Sequence, residues 1–163
     1  MTHSFISLAA QSIGFPLSLI GTMLLAIQFM QFHIRTAYGD SDRTYGSTRN
    51  RPYQGACQGN GAAPAVWLII SAFLILHMRA NGHEVNIASA ITGTILCYVG
   101  LWFVDDGDIP TFATHPEEDA VSVAKRHQSA VTCWSDSLQV TGGSLKPGKS
   151  FWYPMYWGWG LTV

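Results

Sequence analysis

The chain has 163 residues, of which 48% are hydrophobic, 12% aromatic and only 12% charged, with a formal net charge of -1. That length suits one domain, the aromatic content argues against a disordered chain, and the near-neutral charge argues against gripping nucleic acid by bulk electrostatics. A charged fraction about half that of ordinary soluble domains leaves two classes, a membrane protein or a piece normally covered by other protein.

In chain order, no charged residue occurs before Arg35, and the run from Phe5 to Phe32 is largely apolar. Gly14, Phe15 and Pro16 interrupt it, because a Gly cap followed by Pro ends one helix and starts another. Two helices are predicted, about His3 to Ile13 and Leu17 to Phe32, with apolar residues recurring every three or four positions. From His33 the pattern changes to two predicted strands, His33 to Tyr38 and Arg43 to Gly46, joined by the turn formers Gly39, Asp40, Ser41 and Asp42. Arg35, Arg43, Arg49 and Arg51 make this the one basic segment. A Gly-rich stretch then leads to an apolar helix, Ala65 to Ala80, opened by Pro64 and closed by Asn81 and Gly82.

Val85 to Val104 lacks charge, and its second half, Ile95 to Val104, is rich in strand-preferring residues. It runs into Asp105, Asp106, Gly107 and Asp108, then Ile109 to Ala113, which reads as a strand, a tight acidic turn and a second short strand. His115 to Leu138 is predicted as a helix whose first turn carries Pro116, Glu117, Glu118 and Asp119, where the helix dipole favours negative charge. Thr141 to Gly148 is a turn, and the tail from Phe151 to Trp159 is aromatic. Cys57, Cys97 and Cys133 form no CxxC pair and share no ligand spacing with the six histidines, so the pattern does not describe a zinc site.

The carboxylate pair Asp105 and Asp106 is the feature that carries chemistry. Like charges side by side between hydrophobic strands are costly, and a divalent cation compensates them. Mg²⁺ takes carboxylate oxygens and keeps positions for water and phosphate.

Three features in this order resemble the reverse transcriptases of retroelements. Phe103, Val104, Asp105 and Asp106 match the catalytic box of an aromatic residue, any residue and two aspartates on a palm hairpin. Gly55, Ala56, Cys57, Gln58, Gly59, Asn60, Gly61, Ala62, Ala63 and Pro64 are similar to the Gly-x-x-Gln-Gly-x-x-x-x-Pro motif that leads into a long helix. The run from Thr141 to Lys149 is similar to the turn ending in lysine that follows the palm helix.

The resemblance covers roughly His33 to Trp157 and implies an α+β partial polymerase palm, a small antiparallel sheet with helices packed on one face, filling the chain as a single domain without fingers or thumb. It implies that Asp105 and Asp106 hold metal, with Asp105 the direct ligand, that Gln58 and Gly59 lie beside the incoming nucleotide and template base, and that Lys149 stands near the nucleotide phosphates. The cofactor would be Mg²⁺ or Mn²⁺, weakly held, and the partners an RNA or DNA template-primer, a dNTP and the missing fingers and thumb segments. An intracellular setting, cytoplasm or nucleus, fits better than a membrane. The family has a further aspartate before the first palm helix, whereas nothing acidic precedes Asp40 here, so the chain is expected to start downstream of that ligand and to be inactive alone. Gly107 also stands at a turn position where the family tends to have a side chain. Two other classes are a small multi-pass membrane protein, spanning at Phe5 to Phe32, Ala63 to Met78 and Val85 to Val104, and an inactive relic that retains nucleic-acid binding.

Overall fold

Thr2 accepts a hydrogen bond on its side chain from the Phe5 amide, and this cap starts α1, His3–Ser12. Gly14 takes a positive φ of 90° and Pro16 caps α2, Leu17–Gln28, so the chain reverses where glycine and proline require it. The computed structural model describes residues 2–48, 50–55, 61–103 and 106–155, with the backbone alone for Phe103.

α2 is four residues shorter than the apolar pattern predicts. Gln31–Phe32 leave it as β1, which pairs antiparallel with β4, Tyr45–Gly46. Inside this pair a second ribbon forms from β2, Arg35–Thr36, and β3, Gly39–Asp40. The predicted turn at 39–42 is thus displaced, because Arg35 faces Asp40 in the register and joins it through a two-point ion pair, at 2.6 and 3.0 Å. Opposite charges directly across a strand pair favour that register.

α3, Ala63–Ala80, begins two residues earlier than predicted, carries Pro64 in its first turn, and ends at Asn81 and the positive-φ Gly82. Val66, Ile70, Leu74 and Met78, spaced by four, are its buried stripe, whereas Leu68 and Leu76 are exposed. α3 is the one described helix long and apolar enough to cross a membrane, with mean hydropathy 1.7 over 18 residues.

The uncharged stretch that follows is no helix. β5, Val85–Ala88, pairs with β6, Ile95–Tyr98, and then β7, Leu101–Phe103, pairs with β8, Asp106–Asp108. The predicted continuous strand from Ile95 breaks at Val99 and Gly100, where Val99 turns into the core at 3% exposure.

α4, Ala120–Val140, starts five residues after the predicted position. The acidic residues before it do other work: Asp119 caps the helix by accepting from the Ser122 amide at 2.8 Å, and Glu118 turns back to Arg126. The helix ends at Thr141, whose hydroxyl donates to the Leu138 carbonyl at 2.7 Å, and a 3₁₀ turn follows at Pro147–Lys149. The Thr2 amide donates to the Thr141 carbonyl at 2.9 Å, clipping the start of α1 to the end of α4.

The core is the seam where α1, α3 and α4 meet, built from Ile6 and Ala9, the α3 stripe, Val99, Ala130, Trp134 and Leu138. The architecture is α+β, with four α-helices and small antiparallel pairs among the described residues. The single sheet expected under the helices is replaced, among the described residues, by four separate two-stranded ribbons. Each ribbon is local in sequence, and among the described residues no backbone ladder joins one to another.

Candidate functional site

The β7–β8 hairpin is seated by one side chain. Alternation along β7 turns Trp102 to the face opposite Leu101, and its indole rests on Trp134 of α4 with ring centroids 5.1 Å apart and planes tilted by 36°. Trp102 pairs with Gly107 across the hairpin. A Cβ at Gly107 would stand 2.7 Å from both Cδ1 and Nε1 of that indole. Gly100 is under the same constraint, since its Cβ would run into the Asp108 carbonyl and the far edge of the ring. Gly107 is therefore a strand residue that makes room for tryptophan, not a turn residue. The indole Nε1 is buried without a hydrogen-bond partner among the described residues, so the seat is held by packing.

On the opposite face the register sets Asp106 against Phe103 and Asp108 against Leu101. Asp106 and Asp108 are exposed and, two residues apart on one strand, share a side, roughly 7 Å apart along the chain. Asp105 lies outside the described residues. Asp106 opens β8 rather than occupying a turn.

The segment that leaves β8 is fastened to α4. Arg126 grips Glu118 with two guanidinium nitrogens and also donates to the Phe112 carbonyl at 2.7 Å. Glu118 accepts further from the amide and hydroxyl of Thr114, at 2.7 and 3.0 Å. The Arg126 guanidinium first, then the Thr114 amide, hold the Glu118 carboxyl at about 2, far below the usual range. The Thr111 hydroxyl lies 3.1 Å from His127 Nδ1, a second tie to the same helix.

Gln58 and Gly59 lie outside the described residues, but the chain is anchored at Gln54 and Gly55, just ahead of them. His3, only 6% exposed, stands 2.8 Å from the Gly55 carbonyl through Nε2 and 2.9 Å from the Gln28 amide nitrogen through Nδ1. A neutral imidazole protonated on Nε2 satisfies both, accepting from Gln28 and donating to Gly55. The His3 amide in turn donates to the Gln54 side-chain carbonyl at 3.0 Å. Ser47 closes the knot by donating its hydroxyl to the Gln28 carbonyl, which joins the arginine-bearing ribbon to the same point.

Lys149 ends the 3₁₀ turn and is exposed. Among the described residues, no Cα of that turn comes within 8 Å of β7 or β8, so the backbone does not bring Lys149 beside Asp106. Sequence reasoning named neither Trp102 nor His3 as a site-positioning residue. An aromatic residue one step before the box is a detectable signal for the first. A histidine in the opening turn of an uncharged helix gives none, because its partners lie far along the chain.

Whether a hard cation suits these residues follows from the donors. No group of three or more His, Cys, Asp or Glu side chains converges among the described residues. Asp106 and Asp108 are nonetheless exposed oxygen donors, and Mg²⁺ is commonly held by one or two carboxylates, with water and substrate phosphate completing its shell. The remaining described carboxylates are mostly engaged: Asp40 with Arg35, Glu84 with Arg79, Glu118 with Arg126, and Asp119 as a cap.

A separate open groove of about 590 Å³ runs between the end of α3 and α4, lined by His77, His83, Lys125, Cys133 and Asp136 among others. Burial pushes the Cys133 thiol up, which leaves it a poor nucleophile. Compared with models of protein families, with curated proteins and with solved structures, the chain matches none.

Proposed function

We propose that this chain is the palm portion of a retroelement reverse transcriptase, descended from an RNA-templated DNA polymerase and inactive by itself. The observation that carries the reading is the β7–β8 hairpin, in which an aromatic residue pairs with Asp106 while Trp102 locks the opposite face onto a long helix. A polymerase needs carboxylates presented at a rigid edge, and packing two indoles supplies the rigidity. The wider motif evidence lies in the sequence, with Gln58 and Gly59 ahead of α3 and Lys149 after α4.

In such a palm, Asp105 and Asp106 would hold the cation, and Asp108 adds an exposed carboxylate on the same strand as Asp106. An ion held there would supply charge stabilisation at the attacking and leaving oxygens. Gly59, lacking Cβ, permits close approach of the nucleotide to the backbone. Gln58 would lie beside the incoming nucleotide and template base, whereas the assignment of Lys149 to the phosphates rests on the resemblance alone, since its turn does not approach β7 or β8 among the described residues. A two-metal site requires carboxylates on more than one element, and the described acids outside β8 are largely paired elsewhere, so the chain alone holds the ion weakly.

Two measurements test the proposal together. Mn²⁺ titration followed by electron paramagnetic resonance should find a weak site that Asp105→Ala removes. Identical Mn²⁺ binding by the two proteins would overturn the metal assignment. Primer extension on an RNA template with Mg²⁺ or Mn²⁺ should give no product from this chain, and extension that disappears in Asp105→Ala would overturn its inactivity.

A further inference from the structure

Charge is unevenly divided among the helices. Asp, Glu, Lys and Arg are absent from residues 1–34 and again from 52–78, which hold α1, α2 and all but the last two residues of α3. α4, in contrast, carries Lys125, Arg126 and Asp136. On the uncharged side, the end of α1 and the neighbouring side of α3 enclose an open apolar groove of about 390 Å³, lined by Ile13, Leu68, Ile69, Phe73 and Leu76 among others. Leu68 and Leu76 stand 70% and 57% exposed, on the side of α3 turned away from its buried stripe.

The chemistry of the lining says what covers this face. Ser12, the one polar side chain among the described residues of the lining, donates its hydroxyl to the Ala9 carbonyl at 2.7 Å, so the groove holds no donor in need of water. Polar side chains exposed on α1 and α2 close on their own helices too: Gln11 donates to the Ser7 carbonyl and hydroxyl, at 3.2 and 3.0 Å, and the Thr22 hydroxyl to the Ser18 carbonyl at 2.9 Å. A protein partner normally adds a polar rim and about one hydrogen bond per 100–200 Å² of contact. With no charge and these donors already engaged, the face suits hydrocarbon, which offers no hydrogen bonds. α3 itself does not cross such a layer. Ile70 and Met78 are fully buried in the core that also holds Trp134, and a helix carrying Lys125, Arg126 and Asp136 cannot follow α3 into the hydrocarbon.

We propose that this face docks on a lipid bilayer, with acyl chains entering the groove beside Leu68 and Leu76 and α3 lying along the surface rather than across it. Helices with one unpartnered apolar side bind in this way, sinking about 5–10 Å into the boundary between headgroups and acyl chains. Attraction to anionic headgroups contributes nothing in the groove, since no lining residue is charged. The proposal goes beyond the polymerase reading and draws on none of its residues.

The test is flotation of the full chain on a sucrose gradient with preformed vesicles of neutral phosphatidylcholine, at about 0.1 and 1 M salt. The chain should float equally at both, because the contact is apolar. Leu68→Glu/Leu76→Glu places carboxylates at positions that are already exposed, so the fold is retained, as circular dichroism checks. Withdrawing two leucines from the hydrocarbon should weaken partitioning by about a hundredfold or more. Ile91→Glu charges an exposed apolar residue in the turn between β5 and β6 and should float as the unaltered chain does. The proposal is overturned by equal flotation of the double variant, by an equal loss in Ile91→Glu, or by no flotation of the folded chain. Flotation lost at the higher salt would place the contact at headgroup charge and overturn the acyl assignment. Sedimentation equilibrium reads the remaining occupant: a dimer that does not float, and that Leu68→Glu/Leu76→Glu turns into a monomer, would assign the groove to a second copy of the chain and overturn the bilayer.

Discussion

An alanine at Gly107 asks whether the Trp102 indole sets the seat of the acidic hairpin. The added Cβ would lie 2.7 Å from Cδ1 and Nε1 of the ring, about an ångström inside ordinary contact. Retreat is blocked on the far side, where the indole already lies against Trp134. Overpacking of this kind costs about 1–3 kcal/mol, and a chain of this size loses about 2–4 °C of Tm per kcal/mol. The opposing effect is smaller: at a backbone position alanine can adopt, replacing glycine stabilises by about 0.4–1 kcal/mol through the unfolded chain. Gly107→Ala is therefore expected to destabilise, read by urea unfolding followed by circular dichroism. In a Trp102→Leu background the same change should become neutral or stabilising, since the ring that collides is gone. The difference between the two backgrounds is the coupling energy of the pair. An equal penalty in both backgrounds would refute the reasoning and place the cost in the backbone.

Two other outcomes follow from the polar anchors. Glu118 has its carboxyl lowered from 4.5 to about 2, so the ion pair's contribution to stability is present above pH 4.5 and is lost as pH falls toward 2. Arg126→Gln should therefore flatten the pH dependence of unfolding free energy across that window, and an unaltered slope would show that Arg126 does not set it. His3→Ala leaves the Gly55 carbonyl and the Gln28 amide without their partner, at about 1–3 kcal/mol, and should speed amide exchange around Gly55. Exchange at Gly55 unchanged in a folded His3→Ala protein would remove His3 as the anchor of Gly55.

The helices were legible because their signals are local. Pro64 and Gly82 bracket α3, and the Gly14 to Pro16 break separates α1 from α2, each through the conformational limits of the residue itself. Boundaries failed where a residue had a better partner elsewhere. Glu118 and Asp119 resemble a negatively charged first turn, yet one is taken by Arg126 and the other caps the helix, so α4 begins later. Gly39 and Asp40 resemble a turn, but the attraction between Asp40 and Arg35 makes them a strand. β5 was missed because Val85 to Ala88 is too short to alternate visibly and acquires its structure from pairing with Ile95 to Tyr98. At the candidate site the acidic pair could be read directly. The Trp102 seat could not, since the role of Gly107 is defined only once the strand opposite it is known.

The separateness of the described ribbons has a consequence for the protein's neighbours. A strand with a single partner leaves one row of backbone donors and acceptors open, and every described strand in this chain is of that kind. Charge guards some of these edges: β8 carries Asp106 and Asp108, and the β2–β3 ribbon carries Arg35 and Asp40. The β5–β6 ribbon has no such guard. It consists of Val-Asn-Ile-Ala against Ile-Leu-Cys-Tyr, with Ile95 and Leu96 each more than half exposed, and no charged side chain interrupts it. The β1–β4 pair is uncharged as well but only two residues long, so the four-residue β5–β6 ribbon is the longest unguarded template among the described residues, and self-recognition between copies would begin there.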